Sequence, residues 1–256
     1  MTRTLRSEFL KLFTIRVPWY LIAAASALTA LIAYFTATRA GADHMAIPSL
    51  NTLAGQTRVF TSSQFGLLFA MVLGVIVAAG EYHHGTATPT YLAEPRRWRV
   101  LVAKLLAGGS IGAVYGAVTA GIATAVGVAM VASKGYVLVV PTGTLVQWVA
   151  GAALGAALLV ALGIGIGMLV RSQIAGVVGV LIWGLFAERI ITALYSSVGP
   201  YLPYTAATTL AGQPFDRALV GSANALSFGP AALVVAGVAA ALCLVASQST
   251  MRADVA

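Results

Sequence analysis

The sequence predicts an all-α integral membrane protein with six transmembrane helices and an amphipathic helix ahead of the first of them. Hydrophobic residues make up 59% of the 256 residues and charged residues only 9%, a composition that soluble domains do not have. The net charge of +8 is compatible with a nucleic-acid partner. The charges fall in the gaps between long apolar runs, however, which favours membrane topology, and we expect no nucleic-acid partner.

Residues 1–16 are predicted to form an amphipathic helix that lies in the membrane interface. Apolar side chains recur at helical spacing and would face the acyl chains: Leu5, Phe9, Leu12 and Phe13. Basic side chains would face anionic lipid: Arg3, Arg6, Lys11 and Arg16. A basic start before an apolar run is also typical of a signal peptide. The following run is long enough to span and has no small-residue cleavage site, so we expect no cleavage.

Six apolar runs are predicted to cross the membrane, where a helix needs about 20 residues to span the hydrocarbon core. They comprise residues 17–38, 60–79, 100–133, 145–170, 174–187 and 227–247. The third run is longer than the core requires, so we expect its helix to tilt or to project beyond the bilayer. Turn residues separate it from the fourth run at 134–144, and a tight turn at 171–173 is expected before the fifth.

The stretch 80–104 concentrates charged residues and histidines between two apolar runs. Thr88 is a suitable N-cap, and the prolines on either side of 89–94 favour a helix confined to about one and a half turns. Tyr91 and Leu92 give this helix an apolar edge. Because so short a helix is not stable alone, we expect it to dock against another surface.

The placement of lysine and arginine orients the predicted bundle. Six spans put both termini on the same side of the membrane as the loop at 80–99. That side holds ten of the fifteen basic residues: Arg3, Arg6, Lys11, Arg16, Arg96, Arg97, Arg99, Lys104, Arg171 and Arg252. The other side holds Arg39, Arg58, Lys134, Arg189 and Arg217. This bias predicts that the termini and the loop are cytoplasmic.

Residues 188–226 mix charges, tyrosines and prolines between the last two spans. They are too apolar for a solvated loop and too broken for a full span, so we expect short helices in the outer interface. Glu188 and Arg189 are predicted to follow directly after the fifth span. Either an interfacial pair or a functional role fits them, because polar groups at such depth are costly.

Glycines recur every fourth residue in two of the spans: Gly108, Gly112 and Gly116 in the third, and Gly151 with Gly155 and Gly163 with Gly167 in the fourth. Small residues at this spacing let helix backbones approach closely in lipid. A tight bundle within one subunit and an interface between subunits both explain the pattern.

The sequence lacks the common motifs of nucleotide-binding proteins, zinc proteases and serine hydrolases. It contains no G-x-x-x-x-G-K-[ST], H-E-x-x-H or G-x-S-x-G, and its single cysteine, Cys243, has apolar neighbours. His83 and His84 are adjacent, so on a helix they would point about 100° apart, and a solvated pair fits better than a metal site. We therefore predict no catalytic residues, no metal and no cofactor in this chain.

Three motifs in order along the chain resemble the permease subunit of the ABC transporter type-2 family. They are the N-terminal Ser7-Glu8-Phe9-Leu10-Lys11-Leu12, the central Gly80-Glu81-Tyr82-His83-His84-Gly85-Thr86 with Pro95-Arg96-Arg97-Trp98-Arg99 and Lys104, and Leu202-Pro203-Tyr204 before the last span. The resemblance covers nearly the whole chain. The central motif is similar to the family's acidic residue, polar pair and Gly-Thr, followed by Pro, Arg and Lys.

The resemblance implies an exporter subunit in a bacterial inner membrane, driven by two copies of a separate cytoplasmic ATPase that would hold the ATP and Mg²⁺. The loop would carry a coupling helix, with these residues contacting the ATPase: Glu81, Gly85, Thr86, Tyr91, Leu92, Arg96 and Arg97. A re-entrant segment before the last span would form an outer gate from Glu188, Arg189, Pro203 and Tyr204. A second permease, identical or related, would complete the transporter.

The substrate expected for a cavity lined by Ala, Gly, Val and Leu is hydrophobic or amphipathic, such as a drug, an antibiotic or a lipid. Four aromatic residues either line that cavity or pack the bundle: Phe65, Phe69, Tyr115 and Trp183.

Two other functions are compatible with the sequence. A non-transporting membrane anchor would recruit a cytoplasmic partner through the same loop. A lipid-modifying enzyme would need ionisable groups at one depth, which only Glu188, Arg189, Asp216 and Arg217 could supply.

Overall fold

The computed structural model describes residues 1–42, 47–86, 96–213 and 226–252, together with Thr90, Leu92 and Glu94, and gives side chains up to residue 248. These residues form helices and connecting turns without any strand. The helices are α1 (Thr2–Thr14), α2 (Val17–Thr38), α3 (Leu53–Phe60), α4 (Gln64–His83), α5 (Arg97–Ser133), α6 (Thr142–Val170), α7 (Gln173–Leu194), α8 (Pro203–Leu210) and α9 (Phe228–Arg252).

Six of the described helical segments are long and apolar enough to cross a membrane, as the sequence predicts. They are Val17–Thr38, Leu53–His83, Arg97–Ser133, Thr142–Val170, Gln173–Leu194 and Phe228–Gln248. The chain is thus an all-helical multi-pass membrane protein, since apolar segments of this length satisfy their backbone hydrogen bonds internally only as helices.

The boundaries of two spans differ markedly from the predicted ones. The second segment divides into α3 and α4, which runs on to His83 rather than ending at residue 79. The fifth continues past the predicted end at residue 187 to Leu194, through one π-helical turn at Trp183–Ala187. The predicted end is wrong because the carboxylate of Glu188 finds hydrogen-bond partners inside the protein, so the helix need not stop before it.

Local signals explain where several helices begin and end. The Thr52 hydroxyl accepts a hydrogen bond from the Gly55 amide at 3.1 Å and caps α3. Arg171 ends α6 in the left-handed region at φ 54°, and the Ser172 hydroxyl then caps α7. The predicted tight turn between the fourth and fifth spans is confirmed, and so is the break between α5 and α6.

The central element of the bundle is α6, which packs against α4, α5 and α9. Its contact with α4 requires glycine on both sides. A Cβ atom on Gly163 would lie 2.2 Å from the Met71 carbonyl oxygen, and one on Gly74 would lie 2.2 Å from the Val160 carbonyl oxygen. The two backbones therefore touch, as close helix packing in lipid requires.

The glycine repeat of α5 also packs inside the chain. A Cβ on Gly116 would lie 2.1 Å from the Ala152 carbonyl oxygen, and one on Gly112 would lie 2.9 Å from that of Ala156, both on α6. The repeats on α6 face α4 and α8. Of the two predicted explanations, packing within one subunit accounts for these glycines.

A buried glutamine joins two loops at the end of the bundle where α2 finishes. The Gln56 amide nitrogen donates to the carbonyls of Leu50 at 3.2 Å and Val137 at 2.8 Å. Its amide oxygen accepts from the backbone nitrogens of Val139 at 2.8 Å and Val140 at 3.3 Å. One side chain thereby holds the loop before α3 against the loop before α6.

Candidate functional site

Four charged side chains meet at the end of the bundle from which the 80–104 stretch emerges, and we call them the buried charge cluster: Glu8, Lys11, Glu81 and Lys104. The Lys104 ammonium lies 3.0 Å from a carboxylate oxygen of Glu8 and 2.8 Å from one of Glu81. Lys11 reaches the same two carboxylates at 2.6 and 2.7 Å. Two positive charges therefore balance two negative ones.

Three of the four members of the buried charge cluster are shielded from solvent. Glu8 is 1% exposed, Lys104 is 3% exposed and Glu81 is 8% exposed. A third contact of Lys104, to the Val77 carbonyl at 3.4 Å, uses another ammonium hydrogen. Such pairs add little net stability compared with an apolar core, but removal of one partner leaves a buried charge and costs about 3–5 kcal/mol.

Lys11 is the most exposed member, with a side chain that is 36% accessible. Partial burial by itself lowers its pKa. The hydrogen bonds and charges of Glu8 and Glu81 outweigh that effect and hold the Lys11 pKa above its ordinary value. The ammonium form is therefore the one that the fold stabilises.

The cluster fixes α1 against the membrane helices. Glu8 and Lys11 lie one helical turn apart on the side of α1 that packs against α5, and Leu12 on that side is 4% exposed. The prediction that the basic side of α1 faces lipid is thus wrong for Lys11, because two carboxylates inside the protein attract it. Phe13, predicted to be in the acyl boundary, is exposed and stacks on Phe9.

Glu81 also holds the first residues of the 80–104 stretch. Its carbonyl accepts hydrogen bonds from the amide and the hydroxyl of Thr86, at 2.9 and 3.4 Å. Gly85 turns between them at φ +65°, a conformation that favours glycine. Glu81 was predicted to contact an ATPase; it is buried at the base of the loop, and that contact stays a prediction.

The remaining predicted coupling residues are less buried. Leu92 is 77% exposed, Arg96 precedes α5 as an exposed residue, and Arg97 is half-buried in its first turn. Tyr91 lies outside the described residues, as does most of the predicted helix at 89–94. Arg99 and Glu94 pair weakly at 3.9 Å across the end of the stretch.

A second polar centre surrounds the carboxylate of Glu188, which is 1% exposed. One oxygen accepts from the Trp183 indole at 2.6 Å and the Tyr204 amide at 2.9 Å. The other accepts from the Thr205 amide at 2.7 Å and its hydroxyl at 2.8 Å. The carboxylate thus caps the first turn of α8, where a negative charge offsets unpaired amides.

The π-helical turn of α7 places Glu188 where it can cap α8. An extra residue in the turn at Trp183–Ala187 shifts the register, and the Trp183 indole and Glu188 carboxylate come within hydrogen-bond distance. The sequence singled out Glu188, but the π-helical turn has no clear sequence signal. Pro203 begins α8, and the Tyr204 hydroxyl donates to the Gln64 carbonyl at 2.8 Å, which ties α8 to the start of α4.

A cavity of about 310 Å³ opens beside Glu188. Three of the four residues predicted for an outer gate line it, namely Glu188, Arg189 and Tyr204, and Arg58 lines it from α3. The cavity is near the start of α4 and the buried charge cluster near its end, about 26 Å apart along the helix at 1.5 Å per residue. The two polar centres therefore occupy opposite ends of the bundle.

The four aromatic residues considered for a substrate cavity do not come together. Tyr115 is buried and donates to the Pro18 carbonyl, which links α5 to the start of α2. Phe65 and Phe69 pack against the core, and Trp183 binds Glu188. Packing is the role that the described residues assign to them; lining a cavity shared with a second subunit stays a prediction.

Metal binding finds no support in the described residues, where no group of three His, Cys, Asp or Glu side chains is placed to hold an ion. His83 and His84 contact each other edge to face with ring centroids 5.0 Å apart.

No model of a known protein family matches this sequence, and a search of curated proteins finds no match. The interpretation of function accordingly rests on the geometry of the two polar centres and on the motifs of the sequence.

Proposed function

We propose that this chain is the membrane-spanning permease subunit of an ATP-binding cassette exporter. Two copies of a separate cytoplasmic ATPase would supply the energy, with ATP and Mg²⁺ bound there. A second permease, identical or related, would complete the transporter. Both termini and the loop at 80–99 would face the cytoplasm of a bacterial cell, and the region from Glu188 to the last span would form a re-entrant outer segment.

The observation that carries the proposal is the buried charge cluster. It joins the interfacial helix α1 to the end of α4 and the start of α5, the two helices between which the 80–104 stretch emerges. Both flanks of the loop are therefore tied to helices of the bundle. Force applied to it by a partner would pass into α4 and α5, and through their contacts with α6 into the bundle.

A loop held to the bundle on both flanks fits a coupled transporter better than a protein that only recruits a partner. An anchor needs only a surface to which its partner binds, whereas a coupled transporter also needs that surface to be rigidly connected to its spans. The cluster supplies that connection by holding three helices at one point, at the desolvation cost that buried charges carry.

Enzymatic chemistry at Glu188 is less compatible with the geometry. Each of its oxygens already accepts two hydrogen bonds, so the carboxylate is fully engaged as a helix cap. A general base must be free to accept a proton from a substrate. Asp216 and Arg217, the other candidates for a lipid-modifying site, lie outside the described residues.

We propose a hydrophobic or amphipathic substrate. The exposed surfaces of the spans are apolar, so a substrate dissolved in the bilayer could contact them directly. Exposed apolar residues include Leu31, Tyr34 and Phe35 on α2 and Ile182 and Phe186 on α7.

An exposed residue of the loop provides the test. Leu92→Asp puts a charge on a side chain that is 77% exposed, so it should not disturb the spans. Val137→Asp is the matched control, since Val137 is 79% exposed in the loop between α5 and α6 at the other end of the bundle. Tagged protein would be purified from native membranes in mild detergent, and its ATP hydrolysis measured.

We expect Leu92→Asp to lower the associated ATPase activity at least about tenfold, as removal of a buried interface anchor does. Val137→Asp should leave it unchanged. Equal activity in the two variants and the wild type would contradict the coupling assignment.

A further inference from the structure

The cavity at the α8 end of the bundle carries an excess of unpaired positive charge. Arg58 and Arg189 both line it and are both exposed. Among the described residues, no carboxylate lies within 4.0 Å of either guanidinium. Glu188 is the acidic residue of the described lining, and its two oxygens already accept four hydrogen bonds.

Gln213, which also lines the cavity, has a side-chain donor without a partner among the described residues. The side-chain nitrogen of Gln213 is buried and makes no hydrogen bond in the described part of the chain, although Gln213 lines the cavity. A buried amide donor left unpaired destabilises the free protein unless water or a ligand accepts from it. Two guanidinium groups and one amide thus point to a ligand that accepts hydrogen bonds and is negatively charged.

The position of the cavity indicates where such a ligand comes from. Ile32 and Thr36, in the last two turns of α2, line one side, and Gln64 at the start of α4 lines another. Span ends lie at the depth of lipid headgroups. Phe35, next to Thr36 on α2, is 48% exposed, so an acyl chain can lie beside the opening.

We propose that this cavity binds the phosphate group of an anionic phospholipid, with Arg58 and Arg189 as its charged contacts and Gln213 as an additional donor. A cavity of about 310 Å³ is at the lower end of the range for small-molecule sites and is large enough for a headgroup. The site does not depend on transport and would exist in an anchor or an enzyme as well.

The proposal also accounts for basic residues on the side where the lysine and arginine bias is weakest. Of the five predicted there, Arg58 and Arg189 would bind phosphate. Lys134 has a separate role, because its ammonium donates to the Ala37 carbonyl at 2.9 Å near the end of α2. Basic residues that serve a site or a helix end need not follow the topological bias.

Native mass spectrometry of the full chain in mild detergent tests the proposal, with phosphatidylglycerol and phosphatidylcholine added as paired probes. The variants are Arg58→Gln, Arg189→Gln and the double substitution. Arg39→Gln is the matched control, because Arg39 is an exposed arginine at the same end of the bundle that does not line the cavity.

We expect the wild type and Arg39→Gln to retain phosphatidylglycerol in preference to phosphatidylcholine. Each cavity substitution should reduce that preference about fivefold, the effect of one arginine near an anionic headgroup, and the double variant should lose it. An equal preference in the double variant and the wild type would overturn the proposal.

A variant that keeps the charge and a soluble competitor complete the experiment. Gln213→Leu removes the unpaired donor without altering charge and should lower phosphatidylglycerol retention, so the site remains testable if an arginine variant unfolds. Glycerol 3-phosphate is added as a soluble competitor. Displacement of the lipid by this compound at a similar affinity would support phosphate binding at the cavity and assign it to a soluble ester instead of a lipid.

Discussion

Glu8 and Lys104 are 96 positions apart in the chain, yet their carboxylate and ammonium groups lie 3.0 Å apart in the interior. This pair attaches the N-terminal helix α1 to the third membrane span. Because Lys104 also contacts Glu81, the same ammonium holds the two flanks of the 80–104 stretch together. Lys104 is the more buried of the two lysines that make this connection, since Lys11 reaches the same carboxylates from α1.

Loss of the Lys104 charge should therefore destabilise the protein severely. Lys104→Met leaves two buried carboxylates with only Lys11 to neutralise them, at a cost of about 3–5 kcal/mol. The melting temperature in detergent, followed by tryptophan fluorescence, measures the effect. Lys134→Met is the control, since among the described residues Lys134 donates to one backbone carbonyl, and its loss should cost about 1 kcal/mol. Similar melting temperatures for the two variants would contradict the role of the cluster.

A double substitution can separate the pair from its surroundings. Glu8→Gln removes the carboxylate charge that Lys104→Met would leave unbalanced, so the double variant should be more stable than the sum of the single losses predicts. A coupling free energy of about 1–3 kcal/mol is expected from melting curves of the four proteins. Additive losses would show that the two residues do not interact.

The Lys11 contacts predict how stability depends on pH. Its pKa is raised above the ordinary value of 10.5, so the stabilisation is fully present below that pH and is lost only as the pH rises through the higher folded-state pKa. The difference in melting temperature between the wild type and Lys11→Gln should be constant between about pH 7 and 9 and should shrink above about pH 10.5. A difference that already disappears near neutral pH would be inconsistent with this cluster.

Glu188 should act as a structural cap. Glu188→Gln replaces one acceptor oxygen with a donor that faces amides, so about 2–3 kcal/mol of stability should be lost. Proteolysis should then begin in the segment around α8 before the rest of the bundle opens. Thr205→Val removes a single hydroxyl contact and should cost about 1 kcal/mol. Unchanged protease resistance in Glu188→Gln would argue against the cap.

Close packing of α4 and α6 should make Gly163 sensitive to any side chain. Gly163→Leu would drive a Cβ against the Met71 carbonyl oxygen, 2.2 Å away, and should cost about 3 kcal/mol. Gly121→Leu is the control, because a Cβ there meets no heavy atom within 4 Å. Yields of monodisperse protein on size exclusion, with melting temperatures, compare the two. Equal tolerance would mean that the helices do not touch at this point.

Hydropathy alone predicted the six spans, because membrane helices satisfy their backbone internally and their length is set by the bilayer. It also predicted the turns at Lys134 and Arg171, where glycine, proline and polar residues interrupt the apolar runs. The ends of the second and fifth spans were missed. At both, a carboxylate remains in the helix because distant segments supply its partners, the Lys104 ammonium for Glu81 and the Thr205 amide for Glu188.

The candidate site was predictable only in part. The sequence singled out Glu81 and Glu188, and motif resemblance drew attention to Glu8 and Lys104, but their convergence depends on how α1 packs against α5. No local pattern encodes that contact. The cavity at the other end combines residues from α2, α3, α7 and α8, so only the folded arrangement shows that Arg58 and Arg189 share it.

The most direct test of the proposed function is native mass spectrometry of the wild-type protein, tagged at its C-terminus and extracted from its own membrane in mild detergent. The account predicts an assembly that contains two copies of a P-loop ATPase and two permeases, with the second permease either a copy of this chain or a related one. Recovery of the intact, folded chain with no ATPase would contradict the exporter assignment and favour a membrane anchor.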